Sequence, residues 1–417
     1  MKVYNVVARS QTFGHGVIGI ETVMILGAGP SQVPAIRKAV RLGHHVITVD
    51  YLPDNVGHKY SHQYVNCSTT DKKGVLRAAS QNHVDGIATF CSDVAVPTVA
   101  YVSTRLGLPG FAESIAEVLS YKDRFREFQK TNGLNHPDFV SASRPQELIQ
   151  KIAQLHFPVV FKPVDYSGSR GVSRVDRPDT RSCRRAFEHA WDFSRSGRVI
   201  AEASIDGIEV GGDAFLTGGQ VAFAAVSQKY LRGFVPTGHR FPTFLSENDQ
   251  RRVANEIEVT CRAAGYTEGA LNYDIMVGPK QISIIEMSPR TGGNGIQELV
   301  ERAFRVDLVA LVLQTAVSDP PSDVRPKSPI TGCGSLVFGS NKAGLLRELV
   351  TAEEVMRAVP EVFDFQTDYQ EGDCVPAFTH SGNRIGRILF DCRDAKHYDC
   401  LVRRLARACQ LRVEDKE

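Results

Sequence analysis

The pattern of apolar and polar residues divides the chain into three parts. In the first part, short apolar runs at residues 22–26, 45–49, 63–66 and 86–90 alternate with amphipathic helical segments. This alternation is typical of parallel strands whose crossover helices cover both faces of a sheet. The sequence therefore predicts an α/β architecture here, a Rossmann-like domain over residues 1–115.

The second part, residues 116–325, mixes strand and helix patterns less regularly, which predicts an α+β domain. One helix is expected to begin at Lys122 and a long amphipathic helix to cover residues 296–315. The proline-rich stretch at residues 319–323 is typical of a linker. The third part, residues 326–417, has glycine-punctuated strands and a closing amphipathic helix, and predicts a small α+β domain.

The strongest chemical signal is a predicted hairpin formed by residues 271–277 and 282–287. Pairing around Lys280 places Asp274 opposite Glu286. Because side chains alternate between the two faces of a strand, Asn272 and Ser288 share the polar face of these acids. The opposite face is then apolar, with these members: Leu271, Tyr273, Ile275, Val277, Ile285 and Met287.

Two carboxylates that face each other across a strand pair destabilise the sheet unless a cation lies between them. A divalent ion with oxygen ligands, above all Mg²⁺, suits such a pair because it leaves room for water and a substrate phosphate. The alternative is a solvated hairpin whose two acids point into water.

Upstream, an apolar strand ends in Lys162, and a Gly/Ser-rich stretch follows at residues 165–172. A lysine at such a place needs a partner because an unpaired buried charge is costly. Glycine and serine allow backbone N–H groups to close over an anion. The alternatives are a lysine that reaches solvent and an ordinary turn.

Other candidates carry weaker signals. Glu202 and Glu209 flank a turn, where exposed strand residues are the alternative. Asp93 follows a buried strand of the first part, and His239 and Arg240 lie in a predicted loop at residues 233–242. We expect Asp93, His239 and Arg240 to line a substrate pocket together with Arg290.

The first part also contains an incomplete dinucleotide-binding motif. Gly27 and Gly29 follow the first strand, and Asp50 ends the second, but Gln32 stands where a third glycine would be. A tight turn between a strand and a helix uses the same residues, so a nicotinamide site is only an alternative here.

Composition excludes several classes of protein. A chain of 417 residues suggests two or three domains, and 49 basic against 47 acidic residues give no sign of a nucleic-acid partner. The N-terminus lacks the apolar core of a signal peptide, and no apolar run is long enough to cross a membrane. We therefore expect a cytoplasmic protein. Nine scattered cysteines predict neither a zinc site nor disulfides.

Five segments occur in a fixed order: Lys122, residues 161–172, residues 202–209, residues 272–277 and residues 284–293. With ILGAGPSQVPAIRKA and SDVAVPTVAYVSTRLGLPG in the first part, this set resembles the ATP-grasp superfamily. It is most similar to carboxylate–amine ligases of the carbamoyl-phosphate-synthase-like and amino-acid-ligase type. The resemblance implies a Rossmann-like domain, an ATP-grasp domain and a small C-terminal domain.

For ATP, the resemblance implies a set of binding residues. Lys122 and Lys162 would hold the phosphates, Glu202 would lie beside the adenine edge and Glu209 would bind the ribose hydroxyls. A glycine-rich lid over the phosphates would be formed by Ser167, Gly168, Ser169 and Gly171.

For the metal, the resemblance implies that Asp274 and Glu286 bind Mg²⁺, with Mn²⁺ as an alternative ion. Ser288 stands where the family has an asparagine, so the number of ions stays open, although Asn272 faces the same side. Arg290, with Lys162, would stabilise the transferred phosphoryl group or the acyl phosphate.

The implied activity is an ADP-forming ligase that activates a small carboxylate as its acyl phosphate and couples it to an amine, such as an amino acid. Two rivals remain: an enzyme that activates bicarbonate or formate, and an ATP-binding regulatory protein without turnover. Analogy also suggests a homodimer. The sequence identifies neither the substrates nor a base that deprotonates the amine.

Overall fold

The computed structural model describes residues 20–318, 324–326 and 330–415. The linker predicted at residues 319–323 lies outside the described residues.

The first part forms a four-stranded parallel sheet, as the sequence predicts. Its strands are nearly all buried because helices cover both faces. The strand order is β3-β2-β1-β4. The strands are β1 (Thr22–Leu26), β2 (His45–Asp50), β3 (Gln63–Asn66) and β4 (Gly86–Thr89), and the helices are α1 (Val33–Arg41), α2 (Lys72–Gln81) and α3 (Val96–Leu106).

A second four-stranded sheet is antiparallel and has the order β5-β8-β6-β7. Two helices pack on one face of it around Phe161 and Phe187. Its elements are β5 (Phe139–Ala142), α6 (Pro145–Ile152), β6 (Val159–Pro163), β7 (Ser173–Val175), α7 (Thr180–Phe193) and β8 (Val199–Ala203); α4 (Glu113–Ser120) and α5 (Lys122–Thr131) precede it.

An eight-stranded antiparallel sheet is the centre of the molecule, in the order β13-β12-β9-β10-β11-β14-β18-β16. Alternate residues of one strand feed two separate cores: Leu216 packs with α4 and the helix α8, and Phe215 packs with α9. The elements are β9 (Ile208–Thr217), β10 (Gln220–Arg232), β11 (Val235–Phe241), α8 (Glu247–Ala264), β12 (Gly269–Val277), β13 (Ile282–Ser288), α9 (Ile296–Phe304), β14 (Cys333–Phe338), β16 (Val362–Thr367) and β18 (Gly386–Asp391).

The sheet continues across the boundary predicted near residue 325, because β11 pairs with β14. A small three-stranded sheet in the order β17-β15-β19 lies beyond it. The remaining elements are α10 (Leu308–Val317), β15 (Gly344–Leu349), α11 (Ala352–Ala358), β17 (Cys374–Val375), α12 (Ala395–Ala408), β19 (Leu411–Glu414) and four 3₁₀ turns (Pro30–Gln32, Val56–Tyr60, Asp93–Ala95 and Ser381–Asn383).

Two predicted elements differ in the structure. The prediction of a single helix over residues 296–315 is wrong: α9 ends at Phe304, the next residue Arg305 has a left-handed φ of 60°, and α10 begins at Leu308. This break lets α10 pack on the first sheet beside β1 and β4. The prediction of a loop at residues 233–242 is also wrong, since most of this segment forms the strand β11.

Within the described ranges, every helix is too short or too polar to cross a bilayer. All nine cysteines are free thiols.

Replacement of Leu216 by alanine tests the core beneath the central sheet. Leu216 is fully buried, so Leu216→Ala should lower the free energy of unfolding by about 2–5 kcal/mol, measured by urea denaturation. Ile208 on the same strand is 40% exposed, so Ile208→Ala is the matched control and should cost much less. Equal losses in the two variants would contradict this assignment of the core.

Candidate active site

The hairpin of β12 and β13 places the two acids as the sequence predicts. Asp274 pairs with Glu286, and Asn272 pairs with Ser288. A β-bulge follows, because Ile275 pairs with Ile284 and leaves Ile285 without a partner across the strands. The prediction that Ile285 belongs to the packed face is therefore wrong: Ile284 is fully buried, and Ile285 lines a cavity beside Glu286.

Each acid of the pair is neutralised by a different lysine. Lys229 Nζ lies 2.7 Å from Asp274 Oδ1, and Lys122 Nζ lies 3.0 Å from Glu286 Oε2. Burial raises the pKa of Asp274 to about 6. Lys229 acts to lower this pKa, and nearby Glu286 acts to raise it. Burial acts to raise the pKa of Glu286, but Lys122 and Lys229 together hold it below its usual range.

Lys229, which the sequence analysis missed, links two of the predicted site residues. Its ammonium also lies 2.7 Å from Glu209 Oε1, and its side chain is only 4% exposed. Gly211 makes this contact possible, since a Cβ there would lie 2.6 Å from Asp274 Oδ1. The only sequence signal was a lysine in a mostly apolar strand.

Lys162 is held by a buried carboxylate. Glu202 Oε2 lies 2.6 Å from Lys162 Nζ, and Glu202 Oε1 accepts a hydrogen bond of 2.9 Å from Arg126 Nε. Burial acts to raise the pKa of Glu202, but Arg126 and Lys162 hold it at about 2. Both carboxylate oxygens are thus engaged, and Glu202 positions Lys162.

Arg126 is a second residue that the sequence analysis missed. It is fully buried, and its guanidinium donates to the carbonyl oxygens of Ile284 (3.2 Å) and Ile285 (2.7 Å) at the bulge. Arg126 therefore ties Glu202 of the second sheet to the hairpin of the central sheet.

The Gly/Ser loop at residues 167–171 is closed over this region. Gly168, Ser169 and Gly171 all have left-handed φ angles between 63° and 71°. Ser169 Oγ donates to Phe234 O (2.6 Å), and Gly168 O accepts from Ser381 N (3.1 Å). The loop is thus held by the turn between β10 and β11 and by the C-terminal part of the chain.

These elements enclose a cavity of about 160 Å³, which we name the lysine cleft. Nine of the twelve residues predicted to bind ATP or the metal ion line it together with Lys229: Lys122, Lys162, Ser167, Gly168, Ser169, Glu202, Glu209, Asp274 and Glu286. Gly171 does not line the cleft. It packs against α7, where a Cβ would lie 3.1 Å from Ala190 Cα.

A second cavity of about 500 Å³, the interdomain cavity, lies between the first sheet and the hairpin. It shares four lining residues with the lysine cleft: Lys122, Tyr166, Ser167 and Glu286. Asn272, Ser288, Asp93 and Arg290 also line it. The two cavities therefore adjoin at Glu286 and Lys122.

Asp93 and Arg290 come together in this cavity, as predicted. Arg290 Nε lies 2.8 Å from Asp93 Oδ1. Burial acts to raise the pKa of Asp93, but Arg290, with Ser288 and Ser167, holds it at about 2. Arg290 is thus a fixed cation in the interdomain cavity.

Asp213, also missed from the sequence, braces the loop that carries Arg290. It is fully buried and accepts hydrogen bonds of 2.9 Å from Gly292 N and from Asn272 Nδ2. Burial raises the pKa of Asp213 to about 6. Asn272 Nδ2 also donates to Gly212 O, so its amide oxygen is the atom left to face a cation.

His239 and Arg240 do not lie where we predicted, because they belong to a buried strand and line neither cavity. His239 Nδ1 lies 2.9 Å from Ser227 Oγ, and burial, with Lys229 nearby, lowers the pKa of His239 to about 3. Arg240 lies on the other side of the sheet, where it bonds to Tyr230.

The nicotinamide alternative does not fit the first sheet. The Asp50 carboxylate, the candidate ribose ligand, accepts hydrogen bonds from Ala28 N (3.0 Å) and Leu52 N (3.1 Å). The side chain of Gln32 fills the space beside Gly27 and donates to Phe90 O. The chain's own groups therefore occupy the turn.

The hairpin face fits a divalent cation with few protein ligands. No group of three or more His, Cys, Asp or Glu side chains could hold a metal among the residues with a described placement. Mg²⁺ needs no such cage, since it is commonly bound by one or two carboxylates plus substrate phosphates. Asp274 and Glu286, with Ser288 and Asn272 beside them, match that donor set.

Comparison with known proteins agrees with this geometry. The family model of the ATP-grasp domain matches residues 155–298. The L-arginine-specific L-amino acid ligase of Bacillus subtilis is 23% identical over 368 residues, which cover 83% of this chain and 85% of that protein. The formate-dependent phosphoribosylglycinamide formyltransferase of Paraburkholderia xenovorans is 26% identical over 357 residues, which cover 79% of this chain and 83% of that protein.

A solved structure shows the same fold. The crystal structure of L-amino acid ligase from Bacillus licheniformis superposes with a TM-score of 0.80 at 22% identity, and the match covers 95% of this chain and 99% of that one. These findings confirm the resemblance seen in the sequence: residues 155–298 match the ATP-grasp domain, and most of the chain is similar to enzymes of the carboxylate–amine ligase class.

Proposed function

We propose that the chain is an ADP-forming ligase that activates a small carboxylate as its acyl phosphate and couples it to an amine, such as an amino acid. The observation that carries this proposal is the junction at Glu286 and Lys122, where the lysine cleft opens into the interdomain cavity. ATP would bind in the lysine cleft, and the acid and the amine would bind in the interdomain cavity.

The charges at the junction suit phosphoryl transfer. Attack of a carboxylate on the γ-phosphoryl group brings negative charges together, so it needs alignment and neutralisation more than a protein nucleophile. Lys122 lies at the junction, Lys162 lines the lysine cleft and Arg290 lines the interdomain cavity. These three fixed cations would stabilise the charge that develops during transfer.

Asp274 and Glu286 would hold Mg²⁺, or Mn²⁺, with Ser288 and the Asn272 amide oxygen as further ligands. When bound, the ion would neutralise the β- and γ-phosphate charges. Lys229 and Lys122 neutralise these acids in the protein itself. Glu209, beside Lys229, would bind the ribose hydroxyls, and Glu202, beside the adenine edge, would position Lys162 for the phosphates.

The closed 167–171 loop supports a reaction that must exclude water. An acyl phosphate is hydrolysed if water reaches it before the amine does. In our proposal the loop, held by Phe234 and Ser381, opens to admit ATP and closes during the reaction. The domain boundaries, the homodimer and the cytoplasmic location stay predictions.

A screen of ADP release tests the proposed reaction. ATP and Mg²⁺ would be incubated with pairs of carboxylic acids and amines, including amino acids, and with bicarbonate and formate as rival acids. We expect ADP release that needs an acid, an amine and Mg²⁺ together and that stops with EDTA. ADP release only when bicarbonate or formate is the acid would favour the rival enzymes. ATP binding without any ADP release would favour a regulatory protein.

Glu286→Gln tests the role of the acid pair in turnover. The substitution keeps the side-chain volume but removes the charge at the junction, so Mg²⁺-dependent ADP release should fall by about 100-fold or more. Glu247→Gln, on the exposed first turn of α8, is the control and should keep full activity. Near-normal turnover in Glu286→Gln would refute the assignment.

Lys229→Met tests the charge balance without an assay of activity. The variant leaves Glu209 and Asp274 without their buried cation, so the free energy of unfolding should drop by about 3–5 kcal/mol. Lys280→Met in the exposed hairpin turn is the control. Because Mg²⁺ replaces the lost charge, it should stabilise Lys229→Met more than the wild type. No difference between the two variants in urea denaturation would contradict the balance.

A further inference from the structure

The interdomain cavity has two ends, set by the strand order of the first sheet. Asp93, with Arg290, follows β4 at one edge of the sheet. The segment after β3, at the other edge, contributes Ser68, Thr69, Thr70 and Lys72 to the same cavity. With β1 and β2 between these edges, the ends lie roughly 14 Å apart at the backbone, at about 4.8 Å per strand.

The cations at the two ends differ in their partners. Near the junction, Arg290 is paired with Asp93 and Lys122 with Glu286. At the other end, Lys72 Nζ lies 5.5 Å from the centre of the Tyr101 ring. Lys72 forms no ion pair with any residue that the structure describes.

Arg195, from the facing wall, has a similar environment. Its guanidinium lies 4.7 Å from the centre of the Tyr166 ring, and in the described part of the chain it too lacks an acidic partner. The nearby carboxylate of Asp165 instead accepts hydrogen bonds from the backbone N–H groups of Arg195 (3.2 Å) and Ser196 (2.6 Å). Beyond the two ion pairs at Arg290 and Lys122, the charged residues that line the cavity are therefore Lys72, Arg195 and Asp165, which leaves a net positive charge.

Residues with hydroxyl groups line the same cavity as these cations. Ser68, Thr69, Thr70 and Tyr51 line the Lys72 end. Asp71, the acid in this segment, does not line the cavity, and its Oδ1 accepts a hydrogen bond of 3.0 Å from Gly74 N at the start of α2. Hydroxyl donors around an ammonium and a guanidinium are the groups that bind carboxylates and phosphates.

We propose that the activated acid carries a second anionic group, a carboxylate or a phosphate, which binds to Lys72, Arg195 and the hydroxyls of residues 68–70. The carboxylate that receives the phosphoryl group then lies at the other end, beside Lys122 and Arg290. This inference rests on the proposed function, since it assigns the two ends of its substrate cavity.

Titration calorimetry tests the second anion site without turnover. The probes are the dicarboxylates from glutarate to azelate, the monoamide of each, and the matching ω-phosphonocarboxylates, all at one ionic strength with Mg–ADP present. We expect wild-type protein to bind one chain length of the dianionic acids at least about tenfold more tightly than its monoamide, because only the dianion pairs with Lys72. The affinities of the ω-phosphonocarboxylates show whether the second anion site prefers a phosphate-like group or a carboxylate.

Two variants and a control make the test specific. Lys72→Met and Arg195→Met should each weaken binding of the preferred dianion by about tenfold and leave binding of its monoamide within twofold. Lys73→Met removes the neighbouring exposed lysine, which does not line the cavity. This variant should bind the dianion and its monoamide as the wild type does. Equal affinity of the wild type for dianions and monoamides, or an equal loss for both in Lys72→Met, would overturn the inference.

The outcome is separable from that of the proposed function. A preference for dianions that Lys72→Met removes supports the second anion site even if no acid causes ADP release, in which case the ligase proposal fails alone. Conversely, ADP release from monoanionic acids with no gain for dianions supports the ligase and overturns the second anion site.

Discussion

The balance of charge across one hairpin is the constraint on which this site depends. Asp274 and Glu286 face each other on adjacent strands, where two like charges destabilise a sheet. The protein meets this cost with Lys229 from β10 and Lys122 from the start of α5. A buried carboxylate that lost its lysine would be strongly destabilised, so the acids and the lysines must be considered together.

Other features of the fold follow from that balance. Gly211 gives Lys229 room to reach Asp274, and the bulge at Ile285 is held by the buried guanidinium of Arg126. Arg126 also neutralises Glu202, which in turn holds Lys162. Ion pairs and hydrogen bonds thus connect the second sheet to the hairpin and fix the position of Lys162 before a substrate arrives.

The sequence predicted those parts of the site that local patterns determine. The period of two along a strand sets which residues share a face, so the pairing of Asp274 with Glu286 could be found from the turn at Lys280. The local sequence pattern did not reveal Arg126 or Asp213, because their partners lie 76 and 79 residues away. The strand at His239 was missed for the same reason: it is completed by β14, whose Ser335 is 96 residues further on.

The most direct test of this account is a crystal structure with Mn²⁺ and a non-hydrolysable ATP analogue, in which anomalous scattering locates the metal. The account predicts a Mn²⁺ peak between the carboxylates of Asp274 and Glu286, with the analogue's phosphates between Lys122 and Lys162. A nucleotide bound elsewhere, or a metal that avoids both carboxylates, would contradict it.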